Sequence, residues 1–589
     1  MKIVIFIAIA FLTFLTFYVG MPTFAFGFVG WVLAFTLLSA FIFILAIDFK
    51  EEYAIPKWAT GFAVTSGVVW IGIFLIIIPF FTTCTAFHAS SYRNLIGETV
   101  KSDISSDLNP INPENIVIID EVTAERLGEK KLTETNSSLG SSVTLGEFTL
   151  QKVKDKLYYI APLLHSGFFK WFNSEGTPGY IMVNALDDKD IKLVQEINGK
   201  KLSIKYQTNA YFGDYLPRKL YFNGFMTKGM TDYSFEIDDE GNPFWCVSIY
   251  EKKIGYSGND AIGIATVDPQ TGDVKYYNTN EVPSWIDRIQ PLSFIEEQLT
   301  DWGYYVNGWF NPSDKGRMGI TEGASLIYGD DGMCYFYIGL TSVGKDNASS
   351  GFFLINSRTK QAKLYEIGGA TEDAAMESAK GKWPEKDYKP TFPRPYNIDG
   401  HFTYIMALKD QEGLIKAVAL VSYKQYEIVG IGSDLKSALR DYKDALLGSG
   451  NAIAGNKAGS YYEISDKVMR LEKDVQQGET YYYMILRNYV NKMFRTTSGV
   501  SDEIIITEPG DSVKISFRDG GGSVIDVDNF ENKNFTFQKT KAQIGVEKYF
   551  KQVNDSIQKK QDIKDADVLL KNLSEEEKTK LLEEARKNK

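Results

Sequence analysis

Gly263-Ile264-Ala265-Thr266-Val267-Asp268-Pro269-Gln270-Thr271-Gly272-Asp273-Val274-Lys275-Tyr276-Tyr277 lies without a gap against Gly351-Phe352-Phe353-Leu354-Ile355-Asn356-Ser357-Arg358-Thr359-Lys360-Gln361-Ala362-Lys363-Leu364-Tyr365. Both segments read as strand, turn, strand. Apolar and β-branched residues flank a short polar turn, and Pro269 and Gly272 bring the restricted and permissive dihedrals of a hairpin loop. Gly179-Tyr180-Ile181-Met182-Val183-Asn184, leading to Ile191-Lys192-Leu193-Val194, is a third copy with one inserted residue, and a weaker fourth runs from Ala417 through Val421 to Val429. A repeated supersecondary unit sets an architecture before any motif is considered.

Upstream of each hairpin stands another aromatic strand, at Leu157 to Pro162, Phe244 to Tyr250, Tyr335 to Leu340 and Phe402 to Leu408. Asp239-Glu240-Gly241, Asp330-Asp331-Gly332 and Asp399-Gly400 precede three of these strands and place Trp245, Phe336 and Tyr404 at one equivalent position. Helices are expected at Val122 to Lys131, Leu292 to Trp302 and Thr371 to Gly381, the last with acids in its first turn and a closing glycine.

A helix followed by a three-stranded antiparallel meander, with an aspartate-glycine turn before the last strand, resembles the PepSY domain of protease propeptides and extracytoplasmic bacterial proteins; Thr371 to Val429 and Leu292 to Tyr365 carry that resemblance best. It implies PepSY-like α+β repeats over residues 118–430, with strand sets near 153–197, 241–280, 330–367 and 399–430. A β-propeller-like region is the alternative, since its blades use similar turns. Whole segments, among them Leu163 to Trp171, Tyr211 to Arg218, Pro283 to Pro291 and Gly339 to Gly344, also make most of residues 83–530 similar to a family of bacterial and phage-encoded multi-span membrane proteins, a resemblance that carries no activity with it. Residues 431–459 read as a helix and glycine-rich linker, 460–540 as a small β-rich domain, and 541–589 as a charged helical tail whose last helix starts at the capping box Ser574-Glu575-Glu576-Glu577.

At the other end, residues 1–82 hold apolar runs at 2–20, 24–47 and 59–81 with only six charged side chains. A helix of about 20 apolar residues crosses a hydrocarbon core of about 30 Å, so the runs are expected to form a three-helix transmembrane anchor, followed by a linker over 83–117. A cleaved signal peptide is the alternative for the first run. Lys2, Lys50 and Lys57 against Arg93 and Lys101 favour a cytoplasmic amino terminus and a large extracytoplasmic domain, which makes this a multi-pass protein of the cell membrane. Gly61, Gly67 and Gly72 leave room for close helix packing and homo-oligomerisation.

The chain carries a formal net charge of -11, all of it outside the anchor, which argues against a nucleic-acid partner. Cys84, Cys246 and Cys334 are its three cysteines, and Cys246 and Cys334 read as small apolar residues buried in strands. His88, His165 and His401 lie far apart with no ligand spacing, so neither a metal nor any other cofactor is expected. No Gly-x-Ser-x-Gly elbow accompanies His165-Ser166-Gly167, and the carboxylate groups Asp187-Asp188, Asp238-Asp239-Glu240 and Asp330-Asp331 read as hairpin turns. No catalytic residue is therefore assigned. Aromatic residues make up 14% of the chain, in dense groups. Phe168, Phe169, Trp171, Tyr211, Trp302 and Trp309 are expected as a partner-binding surface. The function expected is that of a membrane-anchored noncatalytic binding or scaffold protein, whose expected protein partner is an envelope component or a peptidase that it inhibits. An enzyme of envelope polymers and a subunit of a transport complex are the alternatives.

Overall fold

The computed structural model describes residues 2–28, 30, 65, 67, 69–70, 72–104, 115–135, 140–329, 331–342, 348–449, 461–476, 479–518 and 524–535. The chain divides into two units, Met1–Gly455 and Asn456–Lys589, and the described residues are richest in β-strand.

Four antiparallel sheets follow one another through the first unit. Sheet I holds Val143–Leu145, Thr149–Val153, Lys156–His165, Tyr180–Asn184 and Ile191–Val194. Sheet II holds Gly229–Ile237, Pro243–Ile254, Ser257–Val267 and Val274–Asn278. Sheet III is built on Ser325–Tyr328, Cys334–Ser342, Ala348–Asn356 and Ala362–Tyr365, with Thr99–Lys101 added in parallel at its edge. Sheet IV holds Lys389–Pro390, Arg394–Ile398, His401–Lys409, Ile415–Ser422 and Val429–Gly432.

The same local chemistry turns the chain in each sheet. Asp268 accepts the amides of Gln270 and Thr271 at 2.8 and 3.1 Å, Asn356 those of Arg358 and Thr359 at 3.0 and 2.9 Å, and Asn184 that of Leu186 at 3.0 Å. A side chain that captures its own downstream amides stabilises the turn before the strands meet. The residue preceding each of these pairs with an aromatic one strand back: Val267 with Trp245, Ile355 with Phe336, Val183 with Tyr159, and in sheet IV Val421 with Tyr404. All four rings are buried. Gly179, Gly263 and Gly351 open the copies because a Cβ there would overlap the carbonyl oxygen of Val194, Tyr277 or Tyr365 on the facing strand.

Each sheet adjoins the next. Sheets I and II share a core of Tyr180, Phe235, Trp245 and Val267, and sheets III and IV share one of Tyr337, Phe352, Phe402 and Tyr423. Arg394 of sheet IV donates to the Tyr159 hydroxyl of sheet I at 2.7 Å, and Ser357 binds the Pro283–Gln290 connection between sheets II and III, its carbonyl accepting the Ile289 and Gln290 amides and its hydroxyl donating to the Asp287 carbonyl. The helices Glu121–Thr135, Leu292–Tyr304, Glu372–Lys382 and Leu435–Gly448 lie on this β framework. In the second unit, Tyr461–Gln476, Glu479–Leu486, Met493–Thr497, Ser512–Arg518 and Val524–Asn532 close into a barrel around Met484, Phe494, Val513 and Ile515. The tail 541–589 lies outside the described residues.

Two parts of the expected fold class are corrected. The repeats are not regular α+β units of helix and meander. Nine α-helices occur among the described residues, and sheet II is preceded by short pieces, Phe212–Asp214 and Leu216–Leu220, because Gly213, Pro217 and Gly224 (φ 105°) interrupt any longer helix. Nor do the described residues form a three-helix anchor. Among them, no single helix is long and apolar enough to cross a membrane; Ile73–Thr83 and Thr85–Arg93 reach that length only together, bent by 53° at Cys84. The first run is helical as Lys2–Leu15 and Thr16–Gly20. It then stops, because Met21 adopts a left-handed conformation (φ 43°) ahead of Pro22. Phe24 to Phe28, expected as the start of a second span, instead docks on the β body: the Phe24 amide donates to Met226, Phe26 meets Tyr256, and Phe28 meets Tyr250. The remainder of that run lies outside the described residues.

Candidate functional site

Helix Phe168–Phe172 follows Gly167, whose φ of 150° lets the chain swing out of sheet I between the strands Lys156–His165 and Tyr180–Asn184. Its rings gather with those of the Tyr211-Phe212 bend. Phe168 lies 5.1 Å from Tyr211 and 6.5 Å from Phe212, and Trp171 lies 5.5 Å from Tyr211 and 5.8 Å from Phe212, between ring centroids. Trp171 is fixed by its indole N–H, which donates to Asp214 at 3.2 Å, and Lys205 approaches the same carboxylate at 3.7 Å. Beyond these, Phe169 and Phe172 stand 76% and 69% exposed. Of the residues expected at a partner surface, the structure thus brings Phe168, Phe169, Trp171 and Tyr211 together.

It does not add the other two. Trp302 is 9% exposed, because helix Leu292–Tyr304 turns it inward against Phe353 with the Arg93 guanidinium over its outer face at 5.1 Å. Trp309 is exposed beside Phe310 in the loop after that helix. The residues that sequence reasoning left out are Phe172, Phe212, Arg218, Phe222 and Tyr18. Phe172 adjoins one dense aromatic group of the sequence and Phe212 belongs to another, whereas nothing in the sequence announces the contact of Tyr18 with residues 200 positions away.

Arg218 is the connecting group. Its Nε donates to the Tyr18 carbonyl at 2.8 Å and its Nη1 to the Phe212 carbonyl at 2.7 Å, with the guanidinium 4.1 Å from the centre of the Tyr18 ring. Tyr221 donates to the Pro22 carbonyl at 2.8 Å. The end of the apolar amino-terminal helix is therefore clamped beside the aromatic cluster, and Tyr18, Val19, His165, Ser166, Tyr211, Phe212 and Arg218 line a cleft of about 790 Å³ between them. Burial pushes the His165 imidazole below its ordinary range, against the opposing charge of Asp214. A second cleft of about 600 Å³, on the far side of Trp171, is lined by Phe172, Ser174, Glu175, Lys205, Asp214 and Gln270. Asp214 is committed there to Trp171 and Lys205, so it fixes the ring cluster in place.

Charged groups also meet between sheets II and III, where buried Glu236 and Asp287 and half-buried Arg288 lie near Cys246 and Cys334. Burial raises Glu236 to about 7 against the pull of Arg288, and raises Asp287, which nonetheless accepts from the Lys152 amide and the Tyr328 hydroxyl. Glu236 and Asp287 are sealed in protein and pack as a polar core. Both buried cysteines are free thiols. The three histidines stay apart: His88 Nε2 meets the Phe81 carbonyl and His165 lines the first cleft, while His401 opens a strand of sheet IV. Among the described residues, no group of three or more His, Cys, Asp or Glu side chains is placed to hold a metal ion. The acidic pairs do turn hairpins, with Asp187, Asp238 and Asp331 each accepting an amide two residues on.

The chain matches no protein-family model and no curated protein. Among solved structures, a levansucrase variant of B. megaterium aligns over 72% of this chain and 97% of its own, at 11% identity and a TM-score of 0.17.

Proposed function

We propose that the protein is a noncatalytic binding or scaffold protein attached to a membrane, whose β-sheet body is held against the bilayer surface to engage a protein partner. One observation carries the reading: large apolar side chains stand exposed along both described helical segments of the amino-terminal region. Ile7, Phe11, Leu12, Phe14 and Val19 do so on the first, and Leu75, Ile76, Ile77, Phe80, Phe81 and Phe87 on the second. So much contiguous apolar surface in water would be costly, at about 25 cal/mol per Å². The same segments are tied to the body at their polar ends. Tyr256 donates its amide to the Thr83 hydroxyl at 2.8 Å and its own hydroxyl to the Phe74 carbonyl at 3.1 Å, and Arg93 donates to the Trp302 carbonyl. Attachment and presentation are thus built from the same contacts.

The test is co-flotation of the purified full chain with phospholipid vesicles, followed by washes in high salt and in alkaline carbonate. Retention through both washes is expected, since salt screens charge attraction but leaves apolar burial intact. Release by salt alone would overturn the reading.

A further inference from the structure

We infer that the aromatic cluster of Phe169, Phe172 and Phe212, with Phe222 beside it, is a lipid-contact surface that enters the headgroup and upper acyl region of the bilayer. This rests on the proposed membrane attachment and goes beyond it, by assigning lipid to a surface of the β body itself.

The placement follows from the clamp. Thr16–Gly20 ends the amino-terminal helix, and Arg218 bonds Tyr18 at that end and Phe212 in the cluster with a single guanidinium. Phe222 packs 6.3 Å from the Tyr18 ring. The exposed rings therefore sit at the level where the apolar helix leaves the body, which is the level of a bilayer interface if the helix is in lipid. Aromatic side chains favour that zone because a flat ring fits among the headgroups with one side dry.

The polar surroundings fit the same partner. The segments Ser166 to Glu175 and Lys205 to Lys219 contain the cations Lys170, Lys205, Arg218 and Lys219 against the two acids Glu175 and Asp214, while Lys228 is paired with Glu251, in a chain whose net charge is -11. A local excess of cations on an acidic protein matches anionic headgroups. Phe169 and Phe172 project from a short helix that Trp171 anchors through Asp214, so the cluster meets lipid as a fixed wedge.

The experiment places single cysteines by Phe169→Cys, Phe212→Cys and, as an equally exposed aromatic away from the cluster, Phe310→Cys, in a full chain carrying Cys84→Ser, where the remaining Cys246 and Cys334 are buried. Each is labelled with the environment-sensitive fluorophore NBD and bound to vesicles of phosphatidylglycerol and phosphatidylethanolamine, checked by co-flotation. Labels at 169 and 212 are expected to be quenched by doxyl-labelled lipid and shielded several-fold from aqueous iodide, whereas the label at 310 stays open to iodide. If the chain co-floats while the labels at 169 and 212 are as open to iodide as that at 310, the inference fails, membrane attachment stands, and the surface is left to a protein partner. If the chain does not co-float, the reading beneath it fails too.

Discussion

Arg218 holds the amino-terminal helix to the β body, and removing it should free that helix end by a calculable amount. Arg218→Met keeps much of the aliphatic stem and deletes the bonds to the Tyr18 and Phe212 carbonyls together with the ring contact to Tyr18. A hydrogen bond from a charged donor contributes about 1.5 kcal/mol at the low end, and a partly exposed cation-π contact about 0.5 kcal/mol. The three interactions share one half-buried guanidinium and solvent screens it, so about 2 kcal/mol in total is the reasonable figure. That free energy is about a 30-fold change in a local opening equilibrium. The Phe24 amide reports it, because it donates to the Met226 carbonyl at 2.7 Å only while the segment is docked. Hydrogen exchange of the full chain should show that amide exchanging about 30 times faster in the variant, with amides of sheet IV unchanged. Tyr221→Phe, which removes the bond to Pro22, should add a smaller increment. Unchanged exchange at Phe24 in the double variant would refute the clamp.

Four further outcomes follow from the packing. Phe352→Ala opens a cavity between the stacked rings of Tyr365 and Phe402, at 4.7 and 4.6 Å, and should cost about 3–5 kcal/mol in urea denaturation. Gly263→Ala forces a Cβ against the Tyr277 carbonyl and should cost about 1–3 kcal/mol, which would be absent if the strand edge can shift freely. Glu236 binds its proton more tightly folded than unfolded, so its contribution to stability is complete below its ordinary 4.5 and is lost as pH rises to about 7; Glu236→Gln should flatten the thermal-stability profile across that window, and an unaltered slope would place its source elsewhere. Maleimide should label Cys84 in the native chain and reach Cys246 and Cys334 only on denaturation, since burial both hides their thiols and raises them away from the thiolate.

What the sequence disclosed and what it hid divide along the range of the interactions. The turns at Asp268, Asn356 and Asn184 are made by side chains bonding amides two or three residues on, so spacing alone revealed them, and the equivalent rings Trp245, Phe336 and Tyr404 came with the strand register. Helix Glu372–Lys382 was equally legible, its Thr371 cap accepting the Ala374 amide at 3.3 Å. The anchor was misjudged because apolarity records a preference to leave water without recording what covers the surface. Phe24 to Phe28 is as apolar as a membrane span, yet it docks against Tyr250 and Tyr256 of the β body, with Phe26 left largely exposed. Trp302 went the same way: a run of aromatics suggested a surface, and helical phase turned that ring into the core. Glu236 and Arg288 gave no signal, since a buried charge is defined by partners about 50 residues apart. The local aromatic groups did mark the candidate surface, but Arg218, which joins it to the helix, was beyond reach of sequence spacing.

The central claim is that the apolar faces of the amino-terminal helices are covered by lipid, and a spin-label accessibility scan from Ile73 to Arg93 in vesicle-bound full chain tests it most directly. The account predicts high oxygen and low nickel-chelate collision rates at Leu75, Ile76, Ile77, Phe80, Phe81 and Phe87, with both rates low at the buried Ala89 and Tyr92. Nickel-chelate collision rates as high at Ile76 and Phe81 as at the exposed Phe310 would show those faces in water and contradict it.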